Sequence, residues 1–451
     1  MSILDQLASF MQETSWLNIP AKVKEQAKVR VIDLLSACGF GLRSGVRNPL
    51  PSLDIIQPSH PQATIFFSPR QSYPPLAAAC NTFTANSSGM EDGSRFAGAH
   101  PSSGIIPAAL AAAEMTGASG SELIVAVVVA YEVYLRVGYA LYPTDLKRGF
   151  QPSAILAPIG AAAAVGKLLN LDPPRLRSSL SLACLSASGL KVAFEAYASK
   201  CYQIARGVKG GLEAALLAKE GLQGPGRALE EGFLKAYGSE ESSINLTDLG
   251  SRFSLPQTYL KIHGGCRLIH PCIDAALDLK EKERIAPEQV EKISIKITSV
   301  AHEMENEDPK NALDARFSTP FLVAAALKEG EVSEHQITGE LMRDKIMKSL
   351  LAKIRVEVDP ELDRNYPAQR GAEVSIQLCG GKTVSRRVDF ALGEPENPLS
   401  LEQIKEKFQN SMKGFLPARE IGSLYQLLET LEEQEKMSPL FNFLRRWVNA
   451  G

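Results

Sequence analysis

The sequence predicts a mainly α protein with an α+β lid: a large all-helical domain formed by both chain ends, and an inserted smaller domain with a β-sheet. Three observations predict it. Ala-rich segments with helical spacing fill roughly the first 255 residues, strict apolar alternation begins after about residue 265, and charged amphipathic helix returns from Ser400. The expected boundaries are 1–264 and 398–451 for the helical domain and 265–397 for the lid.

From Pro20 onward, Val23, Ala27, Val31, Leu34, Leu35 and Cys38 share one helical face, with Pro20 suited to the first turn and Gly39 near the end. Further helices are expected over Pro107 to Met115, Ser121 to Leu141, Ala154 to Leu169, Arg175 to Ser188 and Val208 to Glu220, separated by Gly, Pro and Ser clusters. Strands are expected at Val290 to Val300, where Ile293, Ile295 and Ile297 alternate, and at Ala352 to Val358. Helices over Phe317 to Lys328 and Thr338 to Met347 lie between them. Glu373 to Leu378 and Thr383 to Phe390 read as a hairpin closed by Cys379-Gly380-Gly381-Lys382, where glycine supplies positive φ. In the last stretch, Ser400 to Val448, Leu424, Leu427, Leu428 and Leu431 fall at helical spacing and suit docking on the first domain.

With 451 residues, 45% of them hydrophobic, the chain can bury a large core. Its 49 basic against 51 acidic residues give no general pull toward nucleic acid or an anionic membrane, so an anionic ligand must be recognised locally. The start, Met1-Ser2-Ile3-Leu4-Asp5-Gln6, lacks the pattern of a secretory signal, which makes a cytoplasmic location the expectation. Leu123 to Tyr131 and Ala154 to Gly166, the most apolar stretches, are shorter than a membrane span and read as core helices. Seven cysteines without a C-x-x-C pair argue against a disulfide framework, a zinc site or an iron–sulfur cluster.

Three segments can carry chemistry. Asn81 opens a polar stretch through Glu91, Asp92 and His100 that ends where an apolar helix starts, a setting for anion binding and proton exchange, or for a plain surface loop with Ser102 or Ser103 as helix cap. Ser199, Lys200 and Gln203 precede a glycine-rich helix start. A lysine there can neutralise a carboxylate, although most lysines only cover solvated faces. Lys261 to Pro271 gathers two of the six histidines, His263 and His270, with Cys266 and Arg267, where helix gives way to strand. There His270 can equally be a cap and Cys266 a small core residue. His60, His302 and His335 lie in polar surroundings, and none has a partner at metal-ligand spacing.

Together these segments resemble the MmgE/PrpD family, which includes 2-methylcitrate dehydratase, cis-aconitate decarboxylase and an iminodisuccinate epimerase. The likeness rests on His100-Pro101 to Ala113, on Gly149 to Asp172 with its Gly160 to Ala164 run, on Gly210 to Ala218, on Cys266 to His270 and on Ala315 to Phe321. The resemblance implies a homodimer without metal or organic cofactor, a small carboxylic acid as substrate, and no nucleic-acid or membrane partner. Carried over by motif, His100, Lys200, His270 and Asp92 are the expected catalytic residues, with Lys261, Arg267, Cys266, Gln151, Gln203 and Phe321 expected to bind substrate. The sequence departs from the family at this site. Where members have His and then Asp-Phe-Asp-Asp-Thr, it reads Asn86 and then Met90-Glu91-Asp92-Gly93; frequent histidines are Gln151 and Gln203, and an aromatic hydroxyl is Phe321. Glutamine cannot exchange a proton near neutral pH.

The expected function is a cofactor-independent lyase, a dehydratase or decarboxylase, that moves a proton next to a carboxylate. Lys200, Lys261 and Arg267 would hold carboxylates and His100 would exchange the proton, assisted by Asp92 or His270. Two alternatives remain at this stage: an isomerase, epimerase or cyclase using the same proton chemistry, and a non-catalytic homologue that binds a ligand.

Overall fold

The computed structural model describes residues 1–56, 63–306, 308–334 and 336–446; His60 and His335 lie outside the described residues. The chain forms two compact units, Met1–Thr258 with Leu401–Gly451, and Tyr259–Ser400. The first division falls at 258/259 because the Leu260 amide donates to the Gly393 carbonyl (2.9 Å), which ties the segment before Lys261 to the second unit.

The first unit is built of helices, with a single two-stranded ribbon, Ala63–Thr64 against Gln71–Ser72, among its described residues. Ala21–Leu42 buries all six residues of its expected apolar face, yet Pro20 is its N-cap, not part of its first turn. The helix also runs past Gly39, because glycine here permits close packing. At Gly41 a Cβ would stand 1.8 Å from the Thr84 carbonyl oxygen of the Pro74–Ser88 helix. The same reason extends Tyr197–Lys219 eleven residues before the expected start at Val208. Gly207, which the sequence places just ahead of the helix start, lies inside it, where a Cβ would approach the Ala154 carbonyl oxygen to 3.0 Å.

The other helices of this unit are Pro101–Thr116, Gly120–Leu141, Pro152–Leu168 and Pro173–Ser186. Pro101–Thr116 begins six residues before the expected Pro107, which lies within it. A proline there removes the amide that would bond the Ser103 carbonyl. The Thr82 hydroxyl donates to that carbonyl instead, at 3.3 Å. Asn81 to Ser88, expected as loop, are helical because their polar groups find interior partners. The Asn81 amide accepts from the Phe66 N–H (2.8 Å) and donates to the Thr64 carbonyl (2.9 Å). Gly120–Leu141 has the length and apolarity of a membrane-crossing helix, but 89% of its apolar window is buried against the rest of the protein.

The C-terminal helices Leu401–Met412, Ala418–Glu429 and Ser438–Leu444 belong to this unit. Leu424, Leu428 and Leu431 are buried, as is Lys407, whose ammonium bonds Asp33 of the Ala21–Leu42 helix.

The second unit contains a four-stranded sheet in the order Ile354–Val358, Val290–Ile297, Ala372–Leu378, Thr383–Val388. The first pair is parallel and the others antiparallel. A parallel pair needs a crossover, supplied here by a stretch containing Thr319–Glu329, Gly339–Arg343 and Lys345–Leu351. The last two replace a single expected helix because Asp344, in extended conformation, caps the second through the Met347 amide. Ile293, Ile295 and Ile297 are buried in a core that also takes Ile273 and Ala276 of the His270–Glu283 helix and Leu322 and Ala325 of Thr319–Glu329. The hairpin turns through Gly380 and Gly381, at φ of 101° and 88°.

Candidate active site

Gly89 ends the Pro74–Ser88 helix in the left-handed conformation and releases a short segment that returns at His100, the N-cap of Pro101–Thr116. Both ends of the intervening Glu91 are fixed. Its neighbour Met90 offers a carbonyl to the Lys407 ammonium at 2.9 Å, and the Asp92 carbonyl accepts from His100 Nδ1 at 2.6 Å. Adjacent side chains of such a segment point in different directions, and here the two carboxylates part.

Asp92, the carboxylate expected at the site, turns into the unit. It is fully buried, accepts the Ser102 amide (2.9 Å) and the Tyr131 hydroxyl (2.8 Å), and lies 3.5 Å from Arg30 Nε. Arg30 is itself held by Gln26 and by both oxygens of Thr258. Asp92 therefore fixes the start of the His100 helix. Glu91, which the sequence reading passed over, takes the other direction: its Oε1 is 3.7 Å from Lys200 Nζ and 4.0 Å from His100 Nδ1. Lys200, expected ahead of a helix, sits in the first turn of Tyr197–Lys219 and is buried, with its ammonium 5.0 Å above the Tyr197 ring.

The hydrogen bonds fix the state of the His100 ring. A carbonyl only accepts, so Nδ1 carries a proton, and when the ring is neutral its lone pair lies on Nε2, the tautomer of a general base. The His100 side chain is 21% exposed, against 8% for Lys200 and none for Glu91, so the group opens to solvent through the imidazole.

The two glutamines that stand where the family often has histidine bond each other. Gln203 donates to the Gln151 side-chain oxygen, and its amide also accepts from Leu190 N–H (2.8 Å) and donates to the Leu190 carbonyl (3.0 Å). Together they fasten the 189–195 turn to two helices. Their geometry shows a structural clasp.

In the second unit, Arg267 spends its whole fork internally. It donates to Glu394, to the Ala391 and Leu392 carbonyls, and to His270 Nδ1 at 3.1 Å. Sequence reading expected it to hold a substrate carboxylate; the structure gives it the task of positioning His270 and the 391–394 turn. Arginine only donates, so His270 has the tautomer opposite to that of His100, with its proton on Nε2. Burial, then the charges of Arg267, His263 and Lys261, hold its pKa well below the usual histidine value, so the ring is a neutral donor. Nε2 has no hydrogen-bond partner among the described residues. His263, 5.3 Å away ring to ring, bonds Asp274 at 2.7 Å, and Asp274 also accepts the Leu392 amide. Lys261 is buried in the same unit. Cys266 bonds the Arg316 carbonyl through its backbone, and Phe321 is packed into the core.

The expected residues thus separate by task. His100 and Lys200 are brought together with Glu91, and Gln151 with Gln203; in the second unit His270 stands with Arg267, while Asp92, Cys266 and Phe321 serve the framework. Among the described residues, no group of three or more His, Cys, Asp or Glu is arranged to hold a metal ion.

Burial also acts on the Asp92 carboxyl. It raises the carboxyl from 3.8 to about 6, opposed by Arg30 and reinforced by Asp33. A carboxyl that binds its proton more tightly when folded favours folding most below 3.8, and that contribution disappears as the pH rises through 6. Relative to Asp92→Asn, wild type is expected to lose about 3 kcal/mol of unfolding free energy across that window. Urea titrations of both proteins from acid to neutral pH measure it; parallel curves would refute it.

A mainly helical unit with a small mixed-sheet unit, the first carrying an imidazole, an ammonium and a carboxylate within 4.0 Å, defines a class of proteins equipped for acid–base chemistry on a polar small molecule. Comparison with known proteins specifies the class. The MmgE/PrpD N-terminal domain matches residues 5–243 and the MmgE/PrpD C-terminal domain residues 263–430, and the chain belongs to the MmgE/PrpD family. It is similar to the cis-aconitate decarboxylase of Homo sapiens, at 27% identity over 98% of this chain and 95% of that protein. It is also similar to the cis-aconitate decarboxylase-like protein oryM of Aspergillus oryzae, at 27% identity over 97% and 96%. A 2-methylcitrate dehydratase-like protein, oryR, of the same fungus matches at 26% identity over 28% of this chain and 27% of its own length. At the level of the family these relatives support a lyase.

Proposed function

We propose that the protein is a cofactor-independent lyase that removes water or carbon dioxide from a small carboxylic acid. The observation that carries the reading is the His100 ring, held by the Asp92 carbonyl in the tautomer with a basic Nε2, beside the buried Lys200 ammonium. In a dehydration, Nε2 takes the proton from carbon next to a carboxylate. The electron pair left behind is stabilised on that carboxylate by the Lys200 charge and expels the β-hydroxyl, which takes the proton now held by His100 and leaves as water. In a decarboxylation the broken carbon–carbon bond supplies the electron pair, and a protonated His100 delivers the proton to carbon. The same reading gives neutral His270 and buried Lys261 the role of donors to a carboxylate. It also takes the protein as a homodimer, supported by the exposed apolar side chains of Leu185, Leu190, Val192 and Phe194.

Incubation with a panel of unsaturated and β-hydroxy carboxylic acids in heavy water, followed by NMR, tests the reading. A lyase incorporates deuterium and releases water or carbon dioxide. Exchange without release would make the protein an isomerase, and ligand-induced stabilisation without exchange would make it a binding protein; either result overturns the proposal.

A further inference from the structure

We propose that His263, oriented by Asp274, is a carboxylate-binding side chain of the Tyr259–Ser400 unit, and that it takes up a proton as the acid binds. The inference rests on the reading of His270 as a donor to a substrate carboxylate. Its own basis is the way His263 is built in beside that ring. Asp274 stands one turn after His270 on the same face of the His270–Glu283 helix. The side chain that Asp274 holds is therefore brought against the His270 ring, 5.3 Å away centre to centre. The backbone on either side of His263 is pinned, by the Leu260 amide on the Gly393 carbonyl and by the Gly264 and Cys266 amides on the Val332 and Arg316 carbonyls. Asp274 is fixed as well, because its second oxygen accepts the Leu392 amide at 2.7 Å.

A carboxylate only accepts, so the 2.7 Å contact puts a proton on His263 Nε2. Nδ1 has no hydrogen-bond partner among the described residues, and the side chain keeps 10% exposure. On a neutral ring Nδ1 offers a lone pair, which repels a carboxylate. On a protonated ring it offers an N–H with a positive charge behind it. His270 Nε2 is a donor while its ring is neutral, whereas His263 Nδ1 becomes one only by binding a proton. The charged groups around His263 are Asp274 on its own Nε2, Lys261 two residues before it, Arg267 on Glu394, Glu334 beside Gly264 and bonded to Arg316, and Asp278, which pairs with Arg386 and Lys282. Among these side-chain types, imidazole is the one whose charge ordinarily changes between about pH 5 and 8.

Calorimetric titration of the full-length protein with glutarate and with tricarballylate, in buffers of different ionisation enthalpy between about pH 6.5 and 8.5, counts the protons taken up. Carboxyl groups of ordinary pKa stay ionised over that range. At its maximum, uptake by wild type is expected to exceed that of His263→Gln by about half a proton, equivalent to a tenfold preference of the acid for the protonated ring. Glutamine keeps an N–H for Asp274 and cannot change charge. His100→Asn removes any share of the other histidine and is expected to retain that half proton. Equal uptake in wild type and His263→Gln overturns the inference; this is the result if His263 only ties the helix to the chain before it, with a lowered melting temperature as the sole effect. Loss of all uptake in His100→Asn overturns it too, and decides the matter even if His263→Gln does not fold. Should neither acid bind wild type, the carboxylate reading of His270 falls and this inference with it; binding without a His263 proton sinks the inference alone.

Discussion

Replacing His100 by Asn is expected to lower turnover by about 10²–10⁴-fold, the range that a positioned general base or acid contributes. Asparagine is the informative choice because its side-chain N–H lies close to where Nδ1 stands. It can still donate to the Asp92 carbonyl, which the imidazole reaches at 2.6 Å, while the basic Nε2 is gone. Loss of structure therefore separates from loss of chemistry. Stability should stay within about 1 kcal/mol of wild type, the net worth of one hydrogen bond. Glutamine, whose amide reaches farther, should not restore turnover, since it too lacks an exchangeable proton near neutral pH. Single-turnover measurement on an acid that wild type transforms, with a parallel urea titration, decides the matter. Full turnover in a normally folded His100→Asn protein would remove the imidazole from the reaction.

The framework was legible in the sequence where a periodicity had one physical cause. Ile293, Ile295 and Ile297 alternate because one face of a sheet is buried, and Val23, Ala27 and Val31 recur because one face of a helix is. Where a residue type serves two purposes the reading slipped. Gly39 and Gly207 look like helix ends but permit backbones to approach closely, and Asn81 looks like loop because its partners, Thr64 and Phe66, lie on another segment.

The site divided in the same way. His100 and Lys200 were legible because they fall in motifs that resemble the family's. The choice between Glu91 and Asp92 was not legible. Two adjacent acids are equivalent by composition, and what separates them is Arg30 and Tyr131 on one side and Lys200 on the other, none near them in sequence. Arg267 shows the converse: its charge was visible, whereas the four acceptors that use up its fork come from folding.

The least legible contact makes the second large prediction. Lys407 Nζ meets Asp33 at 2.5 Å and the Met90 carbonyl at 2.9 Å, with both side chains at 3% exposure or less. The other oxygen of Asp33 has no hydrogen-bond partner among the described residues, so Lys407 is the group that makes a buried carboxylate tolerable there. Lys407→Met keeps the length and apolar stem of the side chain and removes its charge. It is expected to cost about 3–5 kcal/mol at neutral pH, because a carboxylate remains in the interior without its counter-ion. Removing the charge from both partners, in Asp33→Asn with Lys407→Met, should recover most of the deficit, since the penalty belongs to the unpaired ion more than to the lost attraction. Urea unfolding of the two single variants and the double variant measures each step. A Lys407→Met protein within about 1 kcal/mol of wild type would show that water or another cation already compensates Asp33. In that case the Met90 carbonyl would be held without Lys407, and the fixed direction of Glu91 would need another cause.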